Sequence, residues 1–142
     1  MQISTKFTIA VHMLAYIALY GDRQKVTSEI LSGSIQVNPV IIRRLLSQLK
    51  AFDIISVARG SGGTLLSRAP EKITFFDIYY AVEAKNSKGL FHFHENPNPH
   101  CPVGLLIHQA LDDKLAKIQQ SMEDEMKTTT LADVIRDMEI NR

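Results

Sequence analysis

Apolar and polar positions recur along this chain with distinct periods, and each period predicts an element. From Ile9 to Tyr20 only His12 interrupts an apolar run, so a helix over about Ser4 to Tyr20, closed by Gly21-Asp22, must be covered on more than one face. The run is shorter than the roughly 20 residues needed to cross a bilayer, which makes it a buried helix. A short helix follows at Thr27-Ser28-Glu29-Ile30-Leu31, with Thr27 or Ser28 capping its first turn and Gly33 closing it. Asn38-Pro39 opens the next helix: the Asn side chain caps, and Pro at the first position lacks an N–H that had no partner there. Ile42, Leu45, Leu46, Leu49 and Phe52 then return every three or four residues, while Val40, Ile41, Arg44, Ser47 and Gln48 lie off that stripe. One face is core and the other is available for contact.

The period then changes. Ile54-Ile55-Ser56-Val57 and Thr64-Leu65-Leu66 read as two short strands around Arg59-Gly60-Ser61-Gly62-Gly63, a glycine-rich hairpin tip with an arginine at its base. Pro70 ends the hairpin, and Thr74 starts a helix through Phe75, Ile78, Tyr79 and Val82. Residues 84–102 carry Asn86, Gly89, Asn96-Pro97-Asn98-Pro99 and scattered histidines, which predicts a loop or hinge. After Pro102 a long helix places Ile107, Leu111, Leu115, Ile118, Met122 and Met126 on one stripe opposite a charged face. A single stripe outside the main domain calls for a partner helix, and a symmetric copy supplies one. Thr130 with Asp133 three residues later starts a terminal helix through Leu131, Val134, Ile135 and Met138.

The expected fold is therefore mainly α (α+β): a winged helix-turn-helix domain with a two-stranded wing over residues 1–83, a hinge at 84–102, and a long dimerisation helix with a short terminal helix over 103–142. Charge sharpens this picture. The net charge is only +1, yet residues 1–70 hold eight Lys/Arg against three Asp/Glu, a balance of +5, and residues 71–142 hold eight against twelve, a balance of −4. A basic half suits phosphate neutralisation, and an acidic half is repelled by the same polyanion. No basic segment with a cleavage site opens the sequence, so a cytoplasmic protein without a membrane partner is expected.

The B-DNA major groove admits one α-helix, whose N-terminal residues reach the base edges. That assigns Asn38, Val40, Ile41 and Arg44 to double-stranded DNA, with Arg43 and Ser47 adding phosphate or base contacts. Arg59 is placed to meet a phosphate or enter the minor groove, with Gly60 and Gly62 allowing close backbone approach. Ser4, Lys6 and Ser28, at the starts of their helices, complete the DNA-facing set. A small α+β fold with a solvated arginine pair and a tight hairpin would share this pattern.

Ile3-Ser4-Thr5-Lys6-Phe7, Val26-Thr27-Ser28-Glu29-Ile30, the segment from Asn38 to Ile55, the Arg59 to Gly63 run, and Ile73-Thr74-Phe75-Phe76-Asp77-Ile78 with Ala81-Val82-Glu83 together resemble the Rrf2 family of winged helix-turn-helix transcription regulators, which includes IscR, NsrR and CymR. The stretch from His94 to Gly104 resembles the YwnA-like subgroup, which lacks the iron–sulfur cysteines. The resemblance implies a homodimer whose long helices cross, with two recognition helices one DNA turn apart on a pseudo-palindrome. It implies DNA contacts at Asn38, Val40, Ile41, Arg43, Arg44 and Arg59. Two departures separate this chain from the family pattern: Ile41 stands where an aromatic is common, and Gly63-Thr64-Leu65 replaces a Gly-Gly-Tyr ending, so base preference does not carry over.

Cluster-bearing relatives carry three cysteines before the long helix. This chain has one, Cys101, so three thiolates cannot come from one subunit and no cofactor is expected. Cys101 lies beside Pro102 at a helix start, where the dipole favours thiolate, which makes it a sensor candidate for oxidation or thiol exchange; a lone cysteine is equally a small apolar side chain. His92, His94, His100 and His108 with Cys101 suggest a metal site, but their spacing fits no tight motif and a surface loop is expected. Gly60-x-Gly62-Gly63 lacks the Gly-Lys-Ser/Thr ending of a phosphate loop. Two rival functions stay open on sequence alone: a winged-helix module that binds an acidic protein, and a metal- or thiol-dependent enzyme using the histidine-rich loop. No Cys-His-Asn/Asp arrangement is legible for the second, and no enzyme activity is expected.

Overall fold

A computed structural model describes residues 3–60, 62–83, 90–91 and 93–138. The order is α1 (Thr5–Tyr20), α2 (Ser28–Ile35), α3 (Pro39–Ala51), β1 (Ile55–Val57), β2 (Thr64–Leu66), a 3-10 turn at Pro70–Lys72, α4 (Phe75–Val82), α5 (Pro102–Thr128) and α6 (Leu131–Met138). Mainly helical, with one antiparallel pair in the register Ile55 to Leu66, Ser56 to Leu65 and Val57 to Thr64, this is the expected winged arrangement.

Helix α1 is the central post. Phe7, Ala10, Met13, Leu14, Ala15 and Ile17 are buried on it, and Ile9, Val11, Tyr16 and Leu19 are partly covered, which accounts for its apolarity on nearly all sides. Helix α2 differs from expectation at its end. Gly33 lies inside the helix, and Gln36, with φ 64° and ψ 47°, closes it in the left-handed region. Its N–H donates to the Ser32 carbonyl at 2.7 Å. The Ser32 hydroxyl donates to the Val37 carbonyl, which supports the turn into α3. At the other end Thr27 accepts from the Ile30 N–H at 3.3 Å, so Thr27 is the cap rather than Ser28.

Helices α4 and α6 begin side by side, each with reciprocal Thr/Asp capping. Thr74 Oγ1 accepts from the Asp77 N–H at 3.1 Å while Asp77 Oδ2 accepts from the Thr74 N–H at 3.0 Å. Thr130 and Asp133 repeat this at 3.2 and 2.9 Å. The Phe75 N–H donates to the Thr129 carbonyl and the Leu131 N–H to the Ile73 carbonyl, both at 2.8 Å, so the two starts are stitched together by backbone. Leu131 is fully buried and Ile135 nearly so, in one core with α1, Ile73 and Ile78. The terminal helix is thus built into the core formed by residues 5–82, an attachment its sequence position after α5 does not reveal.

Helix α5 has no fully buried residue. Met122 and Met126 pack on the core of their own chain, and Lys127 Nζ lies 4.8 Å from the Phe76 ring centroid. Of the stripe expected to meet a partner, Ile107, Leu111 and Leu115 are half-buried and Ile118 is exposed. Met122 is covered from within the subunit instead, because α5 leans on α4 along its C-terminal half. Of the 84–102 segment, residues 90–91 and 93–101 form neither helix nor strand and Pro102 already opens α5; Asn86, Gly89 and His92 lie outside the described residues, as does Ser61 of the hairpin tip.

Candidate nucleic-acid interface

The site is built on α3. Asn38 Oδ1 accepts from the Val40 N–H at 2.8 Å, and Pro39 occupies the first helical position, so this end needs no further partner. Ile42, Leu45 and Leu49 are buried completely or nearly so and anchor the helix to the core. The opposite face is turned outward. Val40 is 53 % and Ile41 39 % exposed, and Arg43, Arg44 and Ser47 are exposed beside them. Exposed branched side chains at a helix start are costly in water and fit apolar contact with thymine methyl groups, while an arginine fork one turn along fits guanine.

Arg43 and Arg44 differ. Arg43 Nη1 lies 3.5 Å from Glu29 Oε1, an exposed pair in which α2 orients the cation. The Glu29 carboxyl is held below its usual range by its own backbone N–H and by the Ser28 hydroxyl, which donates to Oε2 at 3.1 Å, with Arg43 a smaller contributor. Ser28 therefore serves Glu29. Arg44 forms no hydrogen bond or ion pair with the described residues, and its guanidinium is ready to be used.

The hairpin forms a wing beside α3. The Ala58 N–H donates to the Gly63 carbonyl at 2.7 Å and the Gly62 N–H to the Ala58 carbonyl at 3.1 Å. Gly62 has φ 74°, where a side chain strains, and a Cβ on Gly63 would sit 3.2 Å from Lys25 Cα. That close passage, with the Thr64 N–H donating to the Val26 carbonyl at 3.1 Å, locks the wing against the segment before α2. Arg59 and Gly60 are exposed at the tip. Lys25, whose side chain runs along Gly62 and Gly63, joins them as a cation that sequence reasoning missed. Its only signal was its place before Val26-Thr27, since nothing in the pattern brings it to the hairpin.

At the start of α1 Lys6 is exposed, and Ser4 accepts from its N–H at 3.2 Å. The Ser4 N–H donates to Glu83 Oε1 at 2.7 Å, and the Ser4 hydroxyl donates to the same oxygen. A carboxylate from the end of α4 thus takes the place at Ser4 expected for a phosphate, because an anion complements a helix N-terminus whichever molecule supplies it.

Cys101 caps α5 and is exposed. No hydrogen bond of normal length ties its sulfur there, but the backbone N–H groups of Gly104 and then Val103 hold the thiol below its ordinary pKa. The loop is wound onto this end. Asn98 Oδ1 accepts from the His100 N–H at 2.9 Å, the Asn98 carbonyl accepts from the Cys101 N–H at 3.2 Å, and a Cβ on Gly104 would lie 2.3 Å from that carbonyl oxygen. The His94 and His108 rings stack at 5.1 Å, and His108 Nδ1 lies 3.2 Å from Asp112. Among the described residues no three His, Cys, Asp or Glu side chains come together to hold a metal. His92 lies outside them.

A helix with its apolar side sunk in the core and its N-terminus bared, flanked by a basic wing, defines a winged helix-turn-helix of the DNA-binding regulator class. The chain belongs to the Rrf2 family, whose model, described as an iron-dependent transcriptional regulator, matches residues 3–137. It is 38 % identical over 133 residues to YwnA of Bacillus subtilis (strain 168), a candidate HTH-type transcriptional regulator, covering 94 % of this chain and 96 % of that one. A crystal structure of a candidate DNA-binding protein superposes with a TM-score of 0.75 at 35 % identity, covering 92 % of this chain and 98 % of the other. CymR, the global cysteine regulator of Bacillus subtilis, shares the fold with a TM-score of 0.71 at 20 % identity, covering 96 % and 97 %. YwnA and CymR carry the names of regulators and the third relative that of a DNA-binding protein, and none of the three is named as an enzyme. The iron in the family's description finds no fitting donor set here: the chain has one cysteine, and the described residues offer no cluster of ligands. No described helix is long and apolar enough to cross a membrane.

Proposed function

We propose that this chain is a sequence-specific repressor that works in the cytoplasm as a homodimer on a pseudo-palindromic operator. The observation that carries the reading is the split along α3, where Ile42, Leu45 and Leu49 are buried while Asn38, Val40, Ile41 and Arg44 face outward at the helix start. Val40 and Ile41 meet base edges, Arg44 pairs with a guanine, Arg43 and Ser47 flank them, and Arg59, Gly60, Gly62, Lys25 and Lys6 follow the phosphates. Repression requires only occupancy of the operator, which such a surface supplies. Residues 1–83 read DNA, 84–102 form the hinge, and 103–142 carry the dimer contact, with α6 returned to the core of the first unit. The dimer rests on Val103 and Ile118, 69 % and 53 % exposed on α5, which extend the stripe of Ile107, Leu111 and Leu115, with Leu105 and Leu106 exposed on the flanks.

Two experiments test this. Selection of bound fragments from random duplex DNA is expected to return a two-fold symmetric motif, and binding should fall steeply with salt. Arg44→Ala should relax preference at one base position at a cost of about 1–3 kcal/mol, whereas Arg59→Ala should weaken all duplexes alike and flatten the salt slope. An absence of sequence preference in the wild type would refute the reading. Cys101 is the proposed point of response: peroxide transfers one oxygen to the thiolate, giving sulfenate and water, and operator affinity changes. An equal response to peroxide in Cys101→Ser would remove the cysteine from the scheme.

A further inference from the structure

A cleft of about 340 Å³ opens between Phe91 and Phe93 on one side and helix α5 on the other, where Leu115, Ala116, Gln119, Gln120 and Glu123 complete the described lining. This is the lower end of the range of small-molecule pockets, roughly 300–1,000 Å³. Its chemistry is one-sided. Two aromatic rings, a leucine and an alanine offer apolar surface, and the one charged group among the described lining residues is the Glu123 carboxylate. Gln119 Nε2 donates to Glu123 Oε2 at 3.0 Å, Gln119 Oε1 accepts from the Leu90 N–H at 2.8 Å, and Gln120 Nε2 is turned onto Asp124 Oδ1 at 2.9 Å. Each amide nitrogen spends one of its two N–H donors on a carboxylate, and Glu123 keeps an oxygen without a partner among the described residues. No basic side chain is among the described residues that line the cleft.

A second observation points the same way. Tyr79 is 1 % exposed, and its hydroxyl has no partner among the described residues. Burial, then the charges of Glu123 and Glu83, push its phenol up, which places the Glu123 carboxylate within electrostatic reach of this buried hydroxyl. Lys127, one turn further along α5, is drawn over the Phe76 ring instead. Aromatic faces beside a carboxylate with a free oxygen are the surroundings in which an ammonium group gains most from leaving water.

We propose that this cleft binds a small organic cation, an ammonium group on an aromatic or branched apolar body, with Glu123 receiving the charge and Phe91, Phe93 and Leu115 the body. Because α5 also carries the proposed dimer contact, such a cation is placed to act as an effector. That consequence rests on the regulator reading, but binding itself does not, and it is measured without DNA.

The test is calorimetric titration of the full chain with phenethylamine, 2-phenylethanol and phenylacetate, which share a ring and differ in charge. Phenethylamine is expected to bind saturably, phenylacetate not at all, and the neutral alcohol on the order of tenfold or more weakly than the amine, as loss of a charge-assisted hydrogen bond dictates. Glu123→Gln keeps an acceptor for Gln119 and should weaken the amine by a similar factor. Phe93→Ala, at an exposed position, should weaken all ligands that bind. Absence of saturable phenethylamine binding, equal binding of phenylacetate, or an unchanged affinity in a folded Glu123→Gln protein would overturn the proposal. Should Glu123→Gln fail to fold, the comparison of the three ligands on the wild type decides alone. Selection of a DNA motif by a protein that ignores the amine would leave the regulator reading standing and the cleft assignment refuted.

Discussion

Arg68, just past β2, donates from Nη1 to Asp77 Oδ2 at 3.2 Å, and Asp77 completes the capping box that Thr74 opens at the start of α4. The same guanidinium reaches the Lys72 carbonyl at 3.2 Å and the Phe52 and Asp53 carbonyls at 3.4 Å. One side chain thus joins the end of the recognition helix, the exit of the wing and the start of α4. Of the eight basic residues in the first 70, Arg68 is spent on the fold and not on a duplex.

Arg68→Ala should lower stability by about 1.5–3 kcal/mol, the range for hydrogen bonds to a charged group, read as a shift in the urea midpoint. Arg68→Lys should recover only part of it, since an ammonium lacks the fork that spans four acceptors. Operator affinity well below the melting temperature should stay unchanged in both, and a uniform loss of DNA binding would make Arg68 a phosphate contact instead.

Gly33 lies within α2 with open space where its Cβ would be. Gly33→Ala should therefore stabilise the protein by about 0.5–1 kcal/mol. Gln36→Gly should stabilise it by about 1 kcal/mol through relief of the left-handed conformation. Thermal melts of the two variants distinguish the helix end seen here from one at Gly33, for which Gly33→Ala would destabilise.

Val103→Lys and Ile118→Lys place a charge on the exposed apolar stripe of α5. Light scattering after size exclusion should show monomers with unchanged circular dichroism. Variants that remain dimeric would move the interface elsewhere.

The lowered pKa of Cys101 has a defined sign. Stabilised thiolate means that alkylation by iodoacetamide rises at lower pH in the folded protein than in the same chain unfolded by urea. Gly104→Ala pushes a Cβ against the Asn98 carbonyl and displaces the loop that sets Cys101 on the helix, so its alkylation midpoint should move upward toward the unfolded value. Coincident curves for folded and unfolded wild type would show that the helix N–H groups do not act on the sulfur.

The elements that could be read from the chain are those whose instructions are local. Asn38-Pro39 starts α3 because the cap and the missing N–H lie in adjacent residues, the three-and-four spacing of Ile42, Leu45 and Leu49 names its buried face, and Thr74 with Asp77 starts α4 in the same way. Val40, Ile41 and Arg44 could be assigned to the outer face for that reason alone. Tertiary structure decided whatever depends on residues far apart meeting: Lys25 on the wing glycines, Glu83 on Ser4, Arg68 on Asp77, and α6 in the core beside α1. It also ended α2 at Gln36, since the turn supported there by Ser32 and Val37 outweighs the local preference that made Gly33 the expected stop. Capping and periodicity are short-range properties carried by neighbouring residues, whereas charge pairing and close approach depend on the path of the whole backbone.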